Sequence, residues 1–289
     1  MNDQTLTAVL VTVLGAIVGS FLNVVIHRLP EGKSVVSPRS SCPGCGSFIA
    51  WYDNVPVVSW LILGARCRHC RKPIPWRYPA VELVTAGLFW LSWRQTVATT
   101  PPAAADWVWF GACALFCAAL VAATFIDIDH RIIPDKITKP GMILAPIASL
   151  VAPALHRGSP LWNALEGTGN AGRALFCSVA GIAVGAGTIL AIGWLGKWLF
   201  KKEAMGFGDV KFMGFIGGFL GPSGVVAAIV VACFAGAIFG IASMLITRSR
   251  YIPFGPYLSL GSVLILFWRD DVFRFLVEDY PRLLRDLFS

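Results

Sequence analysis

The sequence predicts an all-α polytopic membrane protein with about eight transmembrane helices and a small zinc-binding cytoplasmic domain between the first two. Three observations support this fold class. Hydrophobic residues make up 56% of the 289 residues and charged ones only 14%, which is more apolar surface than one soluble core can bury. The 24 Lys and Arg residues, against 16 Asp and Glu, lie between apolar stretches, as in loops at an anionic membrane surface and not in a nucleic-acid-binding stripe. Four of the eight cysteines form two C-x-x-C pairs.

The first 26 residues contain the first predicted transmembrane helix. The apolar run at 6–26 is long enough to cross about 30 Å of hydrocarbon at about 1.5 Å per residue. The five residues before it include Asp3 and no Lys or Arg, and no small-residue cleavage site follows it. We therefore interpret residues 1–26 as a retained helix and not as a signal peptide.

Residues 27–80 change character and predict a polar domain on the cytoplasmic side. They contain eight Lys and Arg residues against two acidic ones, and positive loops are retained in the cytoplasm. The pairs Cys42–Cys45 and Cys67–Cys70 are 21 residues apart, close to the spacing of zinc ribbons. We expect the four thiolates to hold one structural Zn²⁺, which leaves no open position for catalysis. Two redox pairs, or reduced cysteines without a metal, are the alternatives.

Seven further apolar stretches predict the remaining spans of a membrane core over residues 81–268. They are 81–97, 106–126, 138–155, 174–199, 210–222, 223–246 and 255–268. Positive residues in alternate loops place both termini outside. The tail at 269–289 mixes apolar and charged residues, which predicts an amphipathic helix on the membrane surface. We find no internal repeat in the sequence.

Two acidic motifs lie where apolar helices meet predicted cytoplasmic loops. Asp127 ends the third span, and Asp209 follows Gly206 and Gly208 at the start of the sixth. An ionised carboxylate in hydrocarbon costs about 2.5–3.5 kcal/mol, so each needs a partner or a function. If Asp127 and Asp209 meet in a small water-filled gap, the pair holds one proton near neutrality. One carboxylate then polarises an attacking water, and the other protonates an amide oxygen.

The alternative is that these carboxylates are structural. An Asp at a helix start is a common N-cap and interacts well with the helix dipole. The carboxylates after the third span also have basic neighbours in the sequence: Asp127, Asp129 and Asp135 stand near Arg131, Lys136 and Lys139. The catalytic interpretation instead explains Gly206 and Gly208, because the absence of side chains there lets a peptide backbone approach Asp209.

Further motifs follow one another along nearly the whole chain. They are GSFLNVVIHRLP from residue 19, SPRSSCPGC from 37, WYDNVPVVSW from 51, RYPAVEL from 77, IDIDH from 126 with IPD from 133, and GFGD from 206. In this order they resemble the type IV prepilin peptidase family, bacterial intramembrane aspartic proteases of the G-x-G-D type. So many motifs in sequence make chance agreement very improbable.

The resemblance implies a catalytic pair. Asp209 matches the G-x-G-D aspartate, and Asp127 matches the first aspartate of the D-x-x-x-x-x-I/L-P pattern, with Asp129 as its competitor. The family cleaves the leader from type IV prepilins and type II secretion pseudopilins at the cytoplasmic edge of the bacterial inner membrane. Many members with the cysteine domain also methylate the new N-terminal amine with S-adenosylmethionine, which implies that residues 27–80 are associated with methyl transfer.

Several alternatives stay open at the level of sequence. Ala65 stands where this class usually has Gly, so a peptidase without methyltransferase activity is one of them. A non-enzymatic, zinc-bearing membrane scaffold or transporter subunit is another, although it gives the G-x-G-D motif no task. Glu82 either holds a cationic substrate amine or caps a helix. The sequence assigns no residue to the methyl donor and no oligomeric state.

Overall fold

The computed structural model describes residues 2–98, 102–201, 206–247 and 253–280, together with residues 282 and 285. Within these ranges the chain is helical and has no β-strand beyond two isolated bridges, Ser41 with Phe48 and Arg66 with Pro73. The predicted all-α class is therefore confirmed. The helices form two compact units, Met1–Pro134 and Asp135–Ser289.

The first unit contains four α-helices and a short 3₁₀ turn. These are α1 (Asp3–Arg28), the 3₁₀ turn Trp51–Asn54, α2 (Val58–Ile62), α3 (Arg77–Thr96) and α4 (Ala104–His130). The second unit contains α5 (Asp135–Val151), the 3₁₀ turn Pro153–His156, α6 (Pro160–Ala164), α7 (Asn170–Phe200), α8 (Phe207–Thr247), α9 (Gly255–Arg274) and a π-helical turn, Phe275–Asp279.

Four of these helices are long and apolar enough to cross a membrane. They are α1, α4, the segment Asn170–Leu199 of α7 and the segment Phe207–Ile241 of α8. The protein is thus a membrane protein with several spans, but the predicted count of eight is not confirmed. In the described ranges α3, α5 and α9 do not combine the required length and apolarity; α5, for example, has only 17 residues and contains Pro140 and Pro146.

Helix α8 is interrupted close to the predicted boundary between two spans. We expected separate helices at 210–222 and 223–246, and the backbone leaves helical geometry at Gly221, where φ is 75° and ψ is 175°. Glycine adopts positive φ without the steric cost of a Cβ, and Pro222 has no N–H with which to continue the helical hydrogen bonds. The break therefore follows from two adjacent residues.

The first unit is built on the antiparallel pair α1 and α3, with α4 packed against both. Small residues bring α1 and α3 close together: a Cβ added at Gly15 would lie 2.8 Å from Cα of Ala86. A Cβ at Gly19 would lie 2.7 Å from Cα of Glu82. Phe89 of α3 meets Phe110 of α4 edge to face, with ring centroids 6.1 Å apart. Close backbone approach and aromatic contact thus hold this helix bundle.

The second unit depends on an even closer crossing of α7 and α8. A Cβ added at Gly181 would lie 2.0 Å from the carbonyl oxygen of Gly217, and one at Gly217 would lie 2.0 Å from that of Gly181. Both obstacles are backbone atoms, which cannot rotate away. Ser178 supports the crossing by donating a hydrogen bond of 2.8 Å to the carbonyl oxygen of Gly218. Small residues here let two helices pack more closely than larger side chains permit.

We expect Gly181→Ala to destabilise the folded protein by about 1–3 kcal/mol, the usual cost of overpacking a tight contact. Gly187→Ala is the matched control, because nothing lies within 4 Å of a Cβ added there and Ala is favoured over Gly in a helix by about 0.5–1 kcal/mol. Thermal unfolding of the purified variants in one detergent measures both. Equal stability of the two variants would contradict the close crossing.

At the interruption of α8, a side chain from α9 forms a hydrogen bond with a free backbone carbonyl. Arg269 Nη2 donates a 2.8 Å hydrogen bond to the carbonyl oxygen of Leu220, the residue before the break. Nearby, the buried His156 shares a 2.8 Å hydrogen bond between its Nε2 and Oγ of Ser149. Helix α9 itself bends at Trp268 (φ −132°, ψ 39°), where the predicted tail begins. A surface position for residues 269–289 stays a prediction, and several of them lie outside the described ranges.

Candidate metal centre and active-site carboxylates

The four cysteines predicted as metal ligands come together. The Sγ atoms of Cys42, Cys45, Cys67 and Cys70 all lie within 4.8 Å of one another, and those of Cys42 and Cys70 are 3.8 Å apart. Four sulfurs placed about 2.3 Å from one zinc ion form a tetrahedron with edges of about 3.8 Å. The cluster therefore has the ligand type and spacing to hold a metal ion.

Each C-x-x-C pair lies on the same kind of turn. In the first, the N–H of Cys42 donates to the carbonyl oxygen of Ser47 (2.9 Å), and that of Gly46 to Cys42 (2.8 Å). In the second, Cys67 donates to Lys72 (2.9 Å) and Arg71 to Cys67 (3.0 Å). Residues 40–49 and 65–74 are thus a structural repeat that the sequence analysis missed. Few side chains are shared between the two segments, and the repeat consists of backbone hydrogen bonds.

Left-handed backbone conformations complete these turns. Gly46 has a φ of 73°, and Arg71, at the equivalent place, has a φ of 59°. Before the second turn Gly64 and Ala65 have φ values of 59° and 57°. A non-glycine residue in this region costs roughly 1–2 kcal/mol. The family's usual Gly at position 65 is explained by this conformation, and Ala65 adopts it as well, so the departure leaves the turn intact.

The surroundings of the sulfurs favour thiolates at some positions. Hydrogen bonds from the side chain and backbone of Ser47 lower the pKa of Cys45 to about 6. For Cys70, a backbone hydrogen bond from Lys72 lowers the pKa, but burial and the neighbouring thiols raise it by a larger amount. The net result is a pKa raised to about 11. The N–H of Gly44 also points at Sγ of Cys42, 3.4 Å away. A bound cation would ionise the remaining thiols, because metal ligation requires the thiolate.

Arg68, inside the second C-x-x-C pair, ties the metal centre to the rest of its domain. Its Nε and Nη2 donate hydrogen bonds of 2.8 and 2.6 Å to the two carboxylate oxygens of Asp53. The guanidinium also lies over the ring of Tyr52, 5.5 Å from its centroid. The hydrogen bonds from Arg68 hold the pKa of Asp53 below its usual value. This bidentate pair fixes the 3₁₀ turn Trp51–Asn54 to the second cysteine turn.

Asp127 and Asp129 occupy different faces of the last turn of α4. Asp127 is 6% exposed, whereas Asp129 forms an ion pair with Arg77 at the start of α3. Arg77 also lies over the ring of Phe125. Residues two apart on a helix point to nearly opposite sides. The competitor Asp129 therefore has a structural partner, which the sequence analysis missed because it looked only among near neighbours in the chain.

Asp209 lies in the first turn of α8. Its N–H donates a 3.1 Å hydrogen bond to the carbonyl oxygen of Gly206, and a Cβ added at Gly206 would lie 3.5 Å from Oδ2 of Asp209. The absence of a side chain at 206 thus leaves space beside this carboxylate. A role for Gly208 in shaping the site stays a prediction.

The carboxylate of Asp135 links the starts of α5 and α8. Asp135 accepts a 2.6 Å hydrogen bond from Lys211 Nζ and forms an ion pair of 2.7 Å with Lys139. The partner Lys139 was among those proposed from the sequence, but Lys211 was missed. The feature of the sequence that could have indicated Lys211 is its position two residues after Asp209, in the segment GFGDVK. Hydrogen bonds from both lysines keep the pKa of Asp135 below its usual value.

Of the two tasks proposed for Glu82 from the sequence, a contact at a helix start is observed at α2, and the binding of a substrate amine stays a prediction. Oε2 of Glu82 accepts a 2.7 Å hydrogen bond from the N–H of Val57, the residue before α2. Val57 has a φ of 61° and a ψ of −48°, so the carboxylate holds a loop residue with an unusual positive φ. Glu82 is therefore a bridge between α3 and the loop. Asp127 and Asp209 belong to different units, and their pairing stays a prediction.

The fold and the site define a class: a helical membrane protein with a four-cysteine cluster that could hold a metal ion and with acidic motifs at helix ends. Comparison with known families extends this. Residues 13–96 match the bacterial peptidase A24 N-terminal domain, and residues 114–241 match the type IV leader peptidase family. No solved structure matches the chain.

Relatives match over most of the chain. A prepilin leader peptidase/N-methyltransferase of Aeromonas hydrophila is 35% identical over 298 residues, with 94% of each chain covered. One of Pseudomonas aeruginosa is 34% identical over 303 residues, with 95% of each covered. One of Myxococcus xanthus is 38% identical over 243 residues, with 84% of this chain and 64% of the relative covered. The chain belongs to the type IV leader peptidase family, and the resemblance inferred from its motifs is confirmed.

Proposed function

We propose that this protein removes the leader peptide of prepilins and then methylates the new N-terminus. The observation that carries this proposal is the match, over 94–95% of the chain, to relatives named prepilin leader peptidase/N-methyltransferase. That match includes both the cysteine domain and the peptidase domain. Type II secretion pseudopilins, whose leaders the family also cleaves, are proposed as further substrates.

In the proposed peptidase mechanism, Asp127 and Asp209 act as a dyad that holds one proton. The ionised carboxylate takes a proton from a water molecule, whose oxygen attacks the scissile carbonyl carbon. The other carboxyl group donates its proton to the carbonyl oxygen, which gives a neutral gem-diol. As the gem-diol collapses, the first carboxyl group gives the proton it took from water to the amide nitrogen, and the second takes a proton back from a hydroxyl of the gem-diol. The C–N bond then breaks, and the neutral amine of the mature chain leaves. The space beside Asp209 at Gly206 supports this assignment because a peptide backbone must approach the carboxylate.

In this proposal the metal ion has a structural role and not a catalytic one. Zn²⁺ held by Cys42, Cys45, Cys67 and Cys70 would have no open coordination position. S-adenosylmethionine supplies the methyl group in the proposed second reaction. The described residues contain no strand followed by a glycine-rich loop and a helix, the usual cradle for a nucleotide cofactor. No residue is therefore assigned to the methyl donor.

We place the protein in the bacterial inner membrane, with the cysteine domain and both aspartate motifs on the cytoplasmic side. The support is the excess of Lys and Arg in residues 27–80 and in the loops beside the motifs, since positive loops are retained in the cytoplasm. At this edge the enzyme can reach the junction between a leader and the apolar helix that follows it.

The deciding experiment incubates the purified protein in detergent with a full-length prepilin and measures the product mass, with and without S-adenosylmethionine. We expect loss of the leader in both reactions and an additional methyl group only when the donor is present. Cleavage without methylation would support the peptidase activity only. An uncleaved substrate under conditions where a relative cleaves it would refute the proposal and favour a scaffold or transporter subunit.

Asp129 and Asp127 are expected to differ sharply when each is changed to Asn. Asp129→Asn removes a partly exposed ion pair with Arg77, and such pairs contribute about 0–1 kcal/mol. Leader cleavage should fall by less than about tenfold, the rate equivalent of 1.4 kcal/mol. Arg77→Gln breaks the same pair from the other side and should have the same small effect. If Asp129→Asn abolishes cleavage while Arg77→Gln does not, Asp129 is the catalytic residue.

A further inference from the structure

Helix α2 turns its apolar side outward. Val58, Leu61 and Ile62 stand at positions i, i+3 and i+4, so they share one face, and Leu61 and Ile62 are 63% and 76% exposed. Ser59 on the opposite side is 7% exposed, and its Oγ donates a 2.9 Å hydrogen bond to the carbonyl oxygen of Tyr52. A helix on a water-soluble domain has the reverse arrangement, with its apolar face buried.

Exposed aromatic side chains accompany this face. Trp51 is 78% exposed and packs edge to face against Tyr52, with ring centroids 5.6 Å apart. The hydrogen bond from Ser59 to Tyr52 connects this aromatic pair to α2. Trp76, just before α3, is also exposed. Trp and Tyr concentrate where hydrocarbon meets headgroups, because each has an apolar body and a polar tip.

The contact between α3 and the start of α2 determines how deep the start of α2 lies in the membrane. Glu82 binds the N–H of Val57 at the start of α2, and Glu82 packs against Gly19 of α1. Gly19 stands seven residues before Ile26, the end of the apolar run of α1, which is about 10 Å along a helix. Helix α1 is apolar enough to cross the membrane. The start of α2 is therefore tied to a level of α1 that lies within the bilayer, below the end of its apolar run.

The charge of the domain favours an anionic occupant for this face. Residues 27–80 contain eight Lys and Arg residues and two acidic ones. Both acidic residues are paired within the domain, Asp53 with Arg68 and Glu31 with Lys33. The remaining charge is positive, which complements anionic lipid headgroups. A second copy of the chain would bring the same positive charge and be repelled.

We propose that the face formed by Val58, Leu61 and Ile62, with Trp51 beside it, inserts into the interface of an anionic lipid leaflet. The metal-bearing loop is then anchored to the membrane by its own surface as well as by α1 and α3. The lipid contact then limits how far the cysteine turns can move from the membrane surface.

The test places a photoreactive phenylalanine analogue at single positions of the full chain, reconstituted in vesicles of phosphatidylcholine with phosphatidylglycerol. Positions 61 and 62 report on the proposed face. Leu10, an exposed side chain in the apolar run of α1, is the positive control, and Lys33, exposed and beyond the end of α1, is the control for water. Zinc content and gel filtration of each variant verify that it is folded.

After irradiation and mass analysis, we expect lipid adducts at positions 61 and 62 in a yield close to that at position 10 and several-fold above that at position 33. Omitting phosphatidylglycerol should lower the yield at 61 and 62 but not at 10. A yield at 61 and 62 no higher than at 33 would overturn the proposal. Crosslinks from these positions to a second chain or to an added prepilin, in place of lipid, would also overturn it and identify a protein as the occupant.

Discussion

Asp209→Asn is expected to reduce leader cleavage by at least about 10³-fold, as removal of one member of a catalytic unit commonly does. Asn has nearly the same shape as Asp, but it can neither accept the proton of the attacking water nor donate one to the amide oxygen. Asp127→Asn should have an effect of the same size, because the two carboxylates are proposed to work as one dyad. Initial rates of prepilin cleavage, measured by mass spectrometry, quantify both.

The control for this prediction is Asp3→Asn, which makes the same chemical change at an exposed residue in the first turn of α1. It should leave the rate unchanged. Gel filtration and thermal unfolding should show that the Asp209 and Asp127 variants remain folded, and methylation of a precleaved pilin should continue. A cleavage rate in Asp209→Asn that equals the rate of the unchanged protein would refute the dyad.

Cys67→Ser should remove zinc and unfold the cysteine domain. Between residues 29 and 76, all of which the structure describes, Ser59 is the one buried residue. The loop therefore has no hydrophobic core, and segments of this kind depend on a metal or disulfides for their fold. Structural zinc sites contribute about 10–16 kcal/mol in small peptides, far more than the weak contacts of this loop could replace.

We expect the Cys67→Ser protein to contain almost no zinc by elemental analysis, to become sensitive to protease within residues 29–76 and to lose N-methylation. Leader cleavage should persist to a measurable extent, because the proposed dyad contains no residue of this loop. Cys233→Ser is the matched control: it is the same substitution at a free cysteine in α8, outside the metal cluster. Stoichiometric zinc in Cys67→Ser would show that this cysteine is not a ligand.

The helices were largely predictable because their signal is local. The apolar run of α1, the predicted spans 106–126 and 174–199, and the break near residue 222 all correspond to observed features. The number of crossings was not predictable in the same way. Whether a helix such as α5, with 17 residues and two prolines, crosses a membrane depends on its packing and tilt, which sequence alone does not specify.

The metal centre was predictable for a similar reason. Each C-x-x-C pair places two thiolates on one turn, so only the meeting of the two turns needed the structure, and their sulfurs lie within 4.8 Å. The structural partners of the acidic residues were not predictable. Arg77 is 52 residues from Asp129, and Lys211 is 76 residues from Asp135. The sequence analysis offered only near neighbours as partners.

The sequence by itself determined the helical membrane class, the family, the four cysteines of the cluster and the candidate aspartates, because these depend on composition, short spacings and local motifs. Tertiary structure decided which charges neutralise one another, that Glu82 holds the start of α2, and that α2 exposes its apolar face. These features arise from contacts between segments far apart in the chain. Their energies depend on distance and burial after packing, and no local pattern of residues fixes either quantity.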